Sequence, residues 1–393
     1  MNELTFSVFD HGIGSINVMK GLLQDFERKE GIRVRLEVIP WDIAWPRLVE
    51  YALYQNGPDV SEVGNTWVMD LIHMNALSLF TQEEIENISG GARFFEPSWK
   101  SCVVSEGGTD SIWAVPWTGD VRVVYYRRDL LKRAGIEEVD AFATPSAFEK
   151  TLQRLQESGF ATPLAMQTKF SRISLQNMAA WVWGTGGEFI SADAKKILFH
   201  QGDSLNGIKA YFQLSNYLGP QPLLDDTQAD EMFWSGNAAV TLSGYWVIRE
   251  PRMPEQVRAN LGVAQLPGVS FVGGHNLVVW KYSRQRQAAI HLVKFLSSQA
   301  AEPGVYPDFG LPIRENGWTL PPFNTPQFGS FRASLNTGRC FQNSPLWALV
   351  EKRLAELMPE LWIQVIKNPS QSDSIVEPQL VNLANRLEMA ISE

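Results

Sequence analysis

The chain has 393 residues, 45% of them apolar and 20% charged, an ordinary globular balance with room for two or three domains. Its formal net charge is −9 and no run of Lys or Arg stands out, which argues against a nucleic-acid partner. Cys102 and Cys340 are the two cysteines; they form no CxxC pair, which excludes the Cys-rich zinc frameworks, and no stretch approaches the roughly 20 apolar residues of a membrane span.

Leu4, Phe6 and Val8 alternate with Thr5 and Ser7, which predicts a strand. Val18, Met19, Leu22, Leu23 and Phe26 then recur at helical spacing. Ile32, Val34, Leu36 and Val38 alternate with Arg33, Arg35 and Glu37. The three segments make a strand–helix–strand unit, for which a right-handed parallel crossover is the default. A helix is predicted over about 42–55, with Pro46 in its first turn, where a missing N–H does no harm, and a short strand follows from Asp59. Pro116 and Gly119 punctuate a loop before a β-branched and aromatic strand over 121–126 and a short helix from about Asp129 to Gly135. Thr144-Pro145 supplies an N-cap and a first-turn proline; Phe148, Leu152 and Leu155 form the buried face, and Gly159 marks the stop. Further helices are predicted at 204–218, 227–235 and 284–299, and strands at 238–242, 261–266 and 277–280. The last 50 residues read as mainly helical, with Ser344-Pro345 as a start signal. No internal repeat and no Gly/Ser linker between independent domains is present.

Five motifs carry more information. They are Gly57-Pro58-Asp59-Val60 with Gly64-Asn65-Thr66-Trp67; the stretch 114–136, which contains Pro116-Trp117-Thr118-Gly119-Asp120-Val121-Arg122; Ser243-Gly244-Tyr245-Trp246; Gly273-Gly274-His275-Asn276-Leu277; and Gly310-Leu311-Pro312-Ile313-Arg314. In this order the chain resembles the bacterial extracytoplasmic sugar-binding proteins, the maltose-binding-protein-like solute-capturing subunits of carbohydrate ATP-binding-cassette importers. The resemblance implies an α/β, two-lobed periplasmic-binding-protein fold of type II. Each lobe would be a mixed sheet flanked by helices, and several crossover segments would join the lobes. Lobe one is expected at 1–117 plus 268–312 and lobe two at 122–264 plus 316–393, with crossovers near 118–121, 265–267 and 313–315. It also implies non-catalytic, high-affinity binding of a neutral sugar, a di- or oligosaccharide or a glycoside, in an interlobe cleft that closes on the ligand. A monomer would then deliver the sugar to a membrane permease. The implied location is periplasmic or extracytoplasmic. The N-terminal residues show no basic segment followed by an apolar run of signal-peptide length, so a leader would have been removed.

Sugar hydroxyls need directional partners that accept or donate two hydrogen bonds, and sugar C–H faces need flat apolar surfaces. Trp67, Trp117 and Trp246 are the expected stacking rings, with Tyr245 beside the last. Asn65, Thr66, Asp120, Arg122, His275 and Asn276 are the expected polar partners. Asp120 and Arg122 lie two apart, so on one strand they would share a face. Gly273 and Gly274 would let backbone N–H groups approach the ligand. His11 follows the first strand, and in open α/β sheets ligands sit at the carboxyl ends of strands. Of the 14 tryptophans, about ten are expected in the core, Trp41, Trp45, Trp181 and Trp183 among them.

Three alternatives use the same residues differently. Gly12-Ile13-Gly14 between a strand and a helix, with Glu37 at the ribose-binding spacing, is a partial dinucleotide fingerprint whose third glycine position is Asn17. A hydrolase would need a constellation that no GxSxG or HExxH motif supplies. A ligand-sensing module of the same fold would share every binding feature. No cofactor and no metal are expected, because the five histidines, at 11, 73, 200, 275 and 291, lack metal-ligand spacing.

Overall fold

The computed structural model describes residues 3–106, 108–169, 174–219, 223–342 and 344–392. Eleven strands are found among them: β1 (Glu3–Phe9), β2 (Arg33–Ile39), β3 (Val60–Gly64), β4 (Val103–Glu106), β5 (Thr109–Ile112), β6 (Val115–Val121), β7 (Val123–Arg127), β8 (Leu164–Ala165), β9 (Val240–Ser243), β10 (Leu261–Gln265) and β11 (Val272–Val279). The chain divides into two compact units. One comprises Met1–Asp120 and Val272–Phe328, the other Val121–Phe271 and Gly329–Glu393.

The first unit is built on a five-stranded sheet of order β2-β1-β3-β11-β6. β1 runs parallel to β2 in the register Leu4↔Val34, Phe6↔Leu36 and Val8↔Val38, so the predicted alternation becomes a ladder. Between these strands the helix Ile13–Glu30 buries Met19, Leu23 and Phe26 of the positions its spacing marked, leaves Val18 and Leu22 half-buried, and buries Ile16 as well. β3 is parallel to β1 and antiparallel to β11. β11 is longer than predicted, because Gly273 and Gly274 continue it. Gly274 has φ +125°, and a Cβ there would lie 2.2 Å from the Thr118 carbonyl oxygen; the glycine lets two backbones touch. The helix predicted over 42–55 is a 3-10 turn, Trp41–Ile43, followed by Ala44–Tyr54.

Residues 316–328, expected in lobe two, group with the first unit. Arg314 anchors their approach: it is 2% exposed, donates to the Ser297 carbonyl at 3.1 Å and lies 3.5 Å from the Glu302 carboxylate. Trp318, Phe323 and Phe328 then pack in series, with Tyr306 against Phe323.

The second unit carries a four-stranded sheet, β10-β7-β9-β8. β7 is antiparallel to both neighbours, with Tyr125↔Thr241 and Tyr125↔Val263, and β8 is parallel to β9. The helix Pro145–Glu157 packs Phe148, Leu152 and Leu155 inward, and the Thr144 hydroxyl accepts from the Ala147 N–H at 3.1 Å as the predicted cap. Trp181 and Trp183 are buried in this core with Tyr211, Trp347 and Trp362. The predicted helix 204–218 is Gly202–Gln213 running into a 3-10 turn, Leu214–Tyr217. Ser344 caps Pro345–Lys367. Among the described residues no helix is long and apolar enough to cross a membrane.

Candidate functional site

Of the 14 tryptophans, Trp41 in the first unit and Trp246 in the second are exposed, by 47% and 42%. Each ring covers a cluster of ionisable side chains.

In the second unit, Trp246 belongs to a 3-10 turn, Tyr245–Arg249, that follows β9. Arg122 joins β6 to β7 and is buried; its guanidinium carbon lies 4.5 Å from the Trp246 ring centroid. The stack requires Gly244, where a Cβ would fall 2.2 Å from the Trp246 ring and 2.6 Å from Arg122 Nη1. Arg122 Nη2 donates to Gln176 Oε1 at 2.7 Å, and Trp246 Nε1–H donates to Asp230 Oδ2 at 2.6 Å. Asp230 and Asp226 stand one turn apart on the helix Asp226–Trp234, which Asp225 and Gln228 close with a capping box. Burial pushes Asp226 up to about 6 and Asp230 up to about 7, while the Arg122 charge pulls both down and the Trp246 N–H adds to the pull on Asp230.

A pocket is lined by Arg122, Gln167, Asn177, Asp226, Asp230 and Trp246, with Ala229, Leu242 and Ser243 completing it. Gln167 Nε2 and Asn177 Oδ1 are buried there without a hydrogen-bond partner among the described residues. Buried amides left unsatisfied are costly unless something else pairs them. The pocket gathers donors, acceptors, a cation and a ring around a cavity of about 10 Å³, room for one hydroxyl-sized group.

In the first unit, Glu62 on β3 is fully buried, and its Oε1 lies 2.8 Å from His11 Nε2 and 2.9 Å from His275 Nδ1. Phe9 N–H donates to the other oxygen at 2.8 Å. Burial alone would raise the Glu62 pKa; the two imidazoles outweigh it and hold the carboxyl at about 2. Trp41 packs against both rings, 5.5 Å from His11 and 5.6 Å from His275, and Phe309 lies 4.9 Å from His11.

The other expected residues divide by burial. Trp117 is 2% exposed, and its N–H donates to the Leu296 carbonyl at 3.2 Å; it packs with Phe6 and Phe309 in the core and offers no stacking face. Asn276 and Asn65 are buried, and their amides donate to Ser101 Oγ and to the Val272 carbonyl. Tyr245 is buried edge-on against Phe331. Gly274 meets backbone, as described above, and Gly273 lies beside it in β11. Trp67 is half-buried over Gly64 and beside Trp45, and Thr66 next to it is half-buried. Asp120 is half-buried in β6, in the first unit, whereas Arg122 belongs to the second, so the shared strand face expected of them ends at Val121.

Sequence reasoning missed Glu62, Gln167, Asn177, Asp226 and Asp230, and assigned Trp41 to the core. Trp41 lies two residues beyond the end of β2 and so had a positional signal, the carboxyl end of a strand. A carboxylate between Val60 and Val63 was a weaker one. Gln167 and Asn177 had none. The dinucleotide alternative loses its acidic residue, since Glu37 accepts the Tyr51 hydroxyl.

Comparison with known proteins agrees with this architecture. The sugar-binding protein MalE of Xanthomonas citri superposes with a TM-score of 0.81 at 22% identity, covering 100% of this chain and 98% of that one. A solute-binding protein of Thermotoga lettingae bound to α-D-tagatose gives 0.83 at 16% identity, covering all of both chains. These likenesses establish the type II periplasmic-binding-protein fold. In sequence, the diacetylchitobiose-binding protein DasA of Streptomyces coelicolor is 25% identical over 304 residues, 72% of this chain and 67% of that protein. The profile of bacterial extracellular solute-binding proteins matches residues 15–303, well over half of the chain. The chain therefore belongs to the family of bacterial extracellular solute-binding proteins.

Proposed function

We propose that the protein captures a neutral sugar, a di- or oligosaccharide or a glycoside, without transforming it, and hands it to the membrane permease of an ATP-binding-cassette importer outside the cytoplasm. The observation that carries the reading is the second-unit pocket. There an exposed indole lies beside a buried arginine, two carboxyls and two buried amides, of which Gln167 Nε2 and Asn177 Oδ1 have no hydrogen-bond partner among the described residues. Hydroxyls that pair with those amides gain bonds the apoprotein lacks, and the ring takes the C–H face. His11, His275 and Trp41 form a second group of candidate contacts. The sequence relative that binds diacetylchitobiose supports the ligand class. Binding shifts the population toward a liganded conformation, which is what a permease would recognise.

Calorimetric titration with a panel of mono-, di- and oligosaccharides and polyols, with NADH alongside, tests the proposal. Saturable one-to-one binding of one small group of sugars, recovered unchanged after incubation, is the expected result. Silence toward every sugar, or conversion of one into products, overturns it.

The affinity is expected to depend on pH. Ionised carboxylates make stronger hydrogen bonds to hydroxyls than neutral ones, so binding should tighten as Asp226 and Asp230 ionise through about 6 and about 7. Stability moves the opposite way. Both folded values lie above the ordinary 3.8, so the stability they contribute is full below that value and is lost as the pH rises through about 6 to 7. Asp230→Asn should thus bind sugar more weakly than the parent at pH 8, yet unfold at a higher temperature there. A parallel loss of both properties would place Asp230 among the structural residues.

A further inference from the structure

We propose that His11, Glu62 and His275 form a binding site for a divalent transition-metal ion of the zinc class. The three come from adjacent strands of one sheet: His11 lies just beyond β1, Glu62 on β3 and His275 on β11. The register Leu277↔Glu62 and His275↔Gly64 puts Glu62 and His275 on one face, two residues apart across the ladder. One ligand atom from each residue falls within a common 4.8 Å limit.

The local geometry suits an ion. His11 Nε2 and His275 Nδ1 both converge on the same carboxylate oxygen, at 2.8 and 2.9 Å. Ligand atoms around a tetrahedral zinc ion, with bonds of about 2.0–2.1 Å, stand roughly 3.3 Å apart, so a shift of about half an ångström opens the triangle to receive one. Imidazole nitrogens with one carboxylate oxygen select zinc, nickel, cobalt or copper over calcium and magnesium, which prefer all-oxygen shells. The surroundings are those that orient metal ligands. Phe9 N–H fixes the second oxygen of Glu62, and Trp41, Phe9 and Phe309 pack around the imidazoles; Thr118 Oγ1, 3.3 Å from His275 Nδ1, would yield that nitrogen to the ion. Binding keeps the same three residues: each imidazole would bind the ion in its neutral form through the nitrogen that faces Oε1, with its single N–H on the far nitrogen, His11 Nδ1 or His275 Nε2. The ion would join the first strand, the third and the returning eleventh, and so stabilise the first unit by mass action.

The test is a calorimetric titration of the chelator-treated full chain with zinc chloride in the absence of sugar, so that its outcome does not depend on the proposed function. One ion per chain is expected, with affinity falling at least about tenfold in His11→Gln and again in His275→Gln. Cobalt chloride should quench tryptophan fluorescence through Trp41, and His11→Gln should abolish the quenching. The two histidine variants keep Glu62, so they remain informative if Glu62→Gln folds poorly. No saturable one-to-one binding overturns the proposal. So does binding that survives both variants and vanishes when His73, His200 and His291 are replaced, since those histidines would then be the ligands.

Discussion

Replacing Glu62 by alanine is expected to cost the metal-free protein about 3–5 kcal/mol of stability, the usual penalty for removing one partner from a buried charged network. Its carboxylate is wholly buried and accepts from Phe9 N–H while facing His11 and His275. Alanine removes all three interactions at once, strands a buried N–H, and leaves a cavity in the middle of the five-stranded sheet. Glu62→Gln should cost less, because it keeps the volume and one carbonyl acceptor. The pH dependence identifies the cause. The folded pKa, about 2, lies below the ordinary 4.5, so the contribution is fully present above 4.5 and is lost as the pH falls toward 2. That difference corresponds to something on the order of 3 kcal/mol over the window. Urea unfolding with a chelator present should therefore show a parent stability that falls between these values more steeply than that of Glu62→Ala. Equal slopes would mean that the sheet, and not the ionised carboxylate, supplies the stability.

Glu62 also shows where sequence reasoning ended. The alternation at Leu4, Phe6 and Val8, the cap at Thr144 and the punctuation at Gly159 are local signals, and each became the local structure it predicted. The Ser243-Gly244-Tyr245-Trp246 motif is equally local, since Gly244 makes room for the ring two residues on. Local pattern does not say which way a ring points. Trp117 and Trp246 read alike, yet one is sealed under Phe6 and Phe309 and the other is exposed. Clusters assembled by register were the least legible. No spacing relates His11 to His275, because their proximity is a property of the order β1-β3-β11. Gln167, Asn177 and Asp230 meet Arg122 only after a strand end and two helices have packed together. A buried amide without a partner is invisible until burial is known.

Trp246→Ala is expected to weaken sugar binding by about 1–3 kcal/mol, the range for an aromatic anchor in a binding site, while the fold persists. The ring is 42% exposed, so its truncation removes little packing. It stacks on Arg122 at 4.5 Å and donates its N–H to Asp230 at 2.6 Å. Alanine therefore removes the stack on Arg122, the N–H given to Asp230 and the flat surface at once, while Arg122 keeps its bond to Gln176. Trp246→Phe separates these effects: it keeps a ring for the sugar face and for Arg122 and loses only the N–H. Phenylalanine is expected to recover most of the affinity if stacking carries the contact, and little if the held carboxylate does. The measurement is calorimetry on the sugar that binds the parent, paired with a thermal melt of each variant. Unchanged affinity with a lowered melting temperature would assign the indole to packing and remove the main support for the second-unit pocket as the sugar site. Lost affinity with an unchanged melt would leave the ring one task, holding the ligand against a cation and a carboxyl already set in place around it.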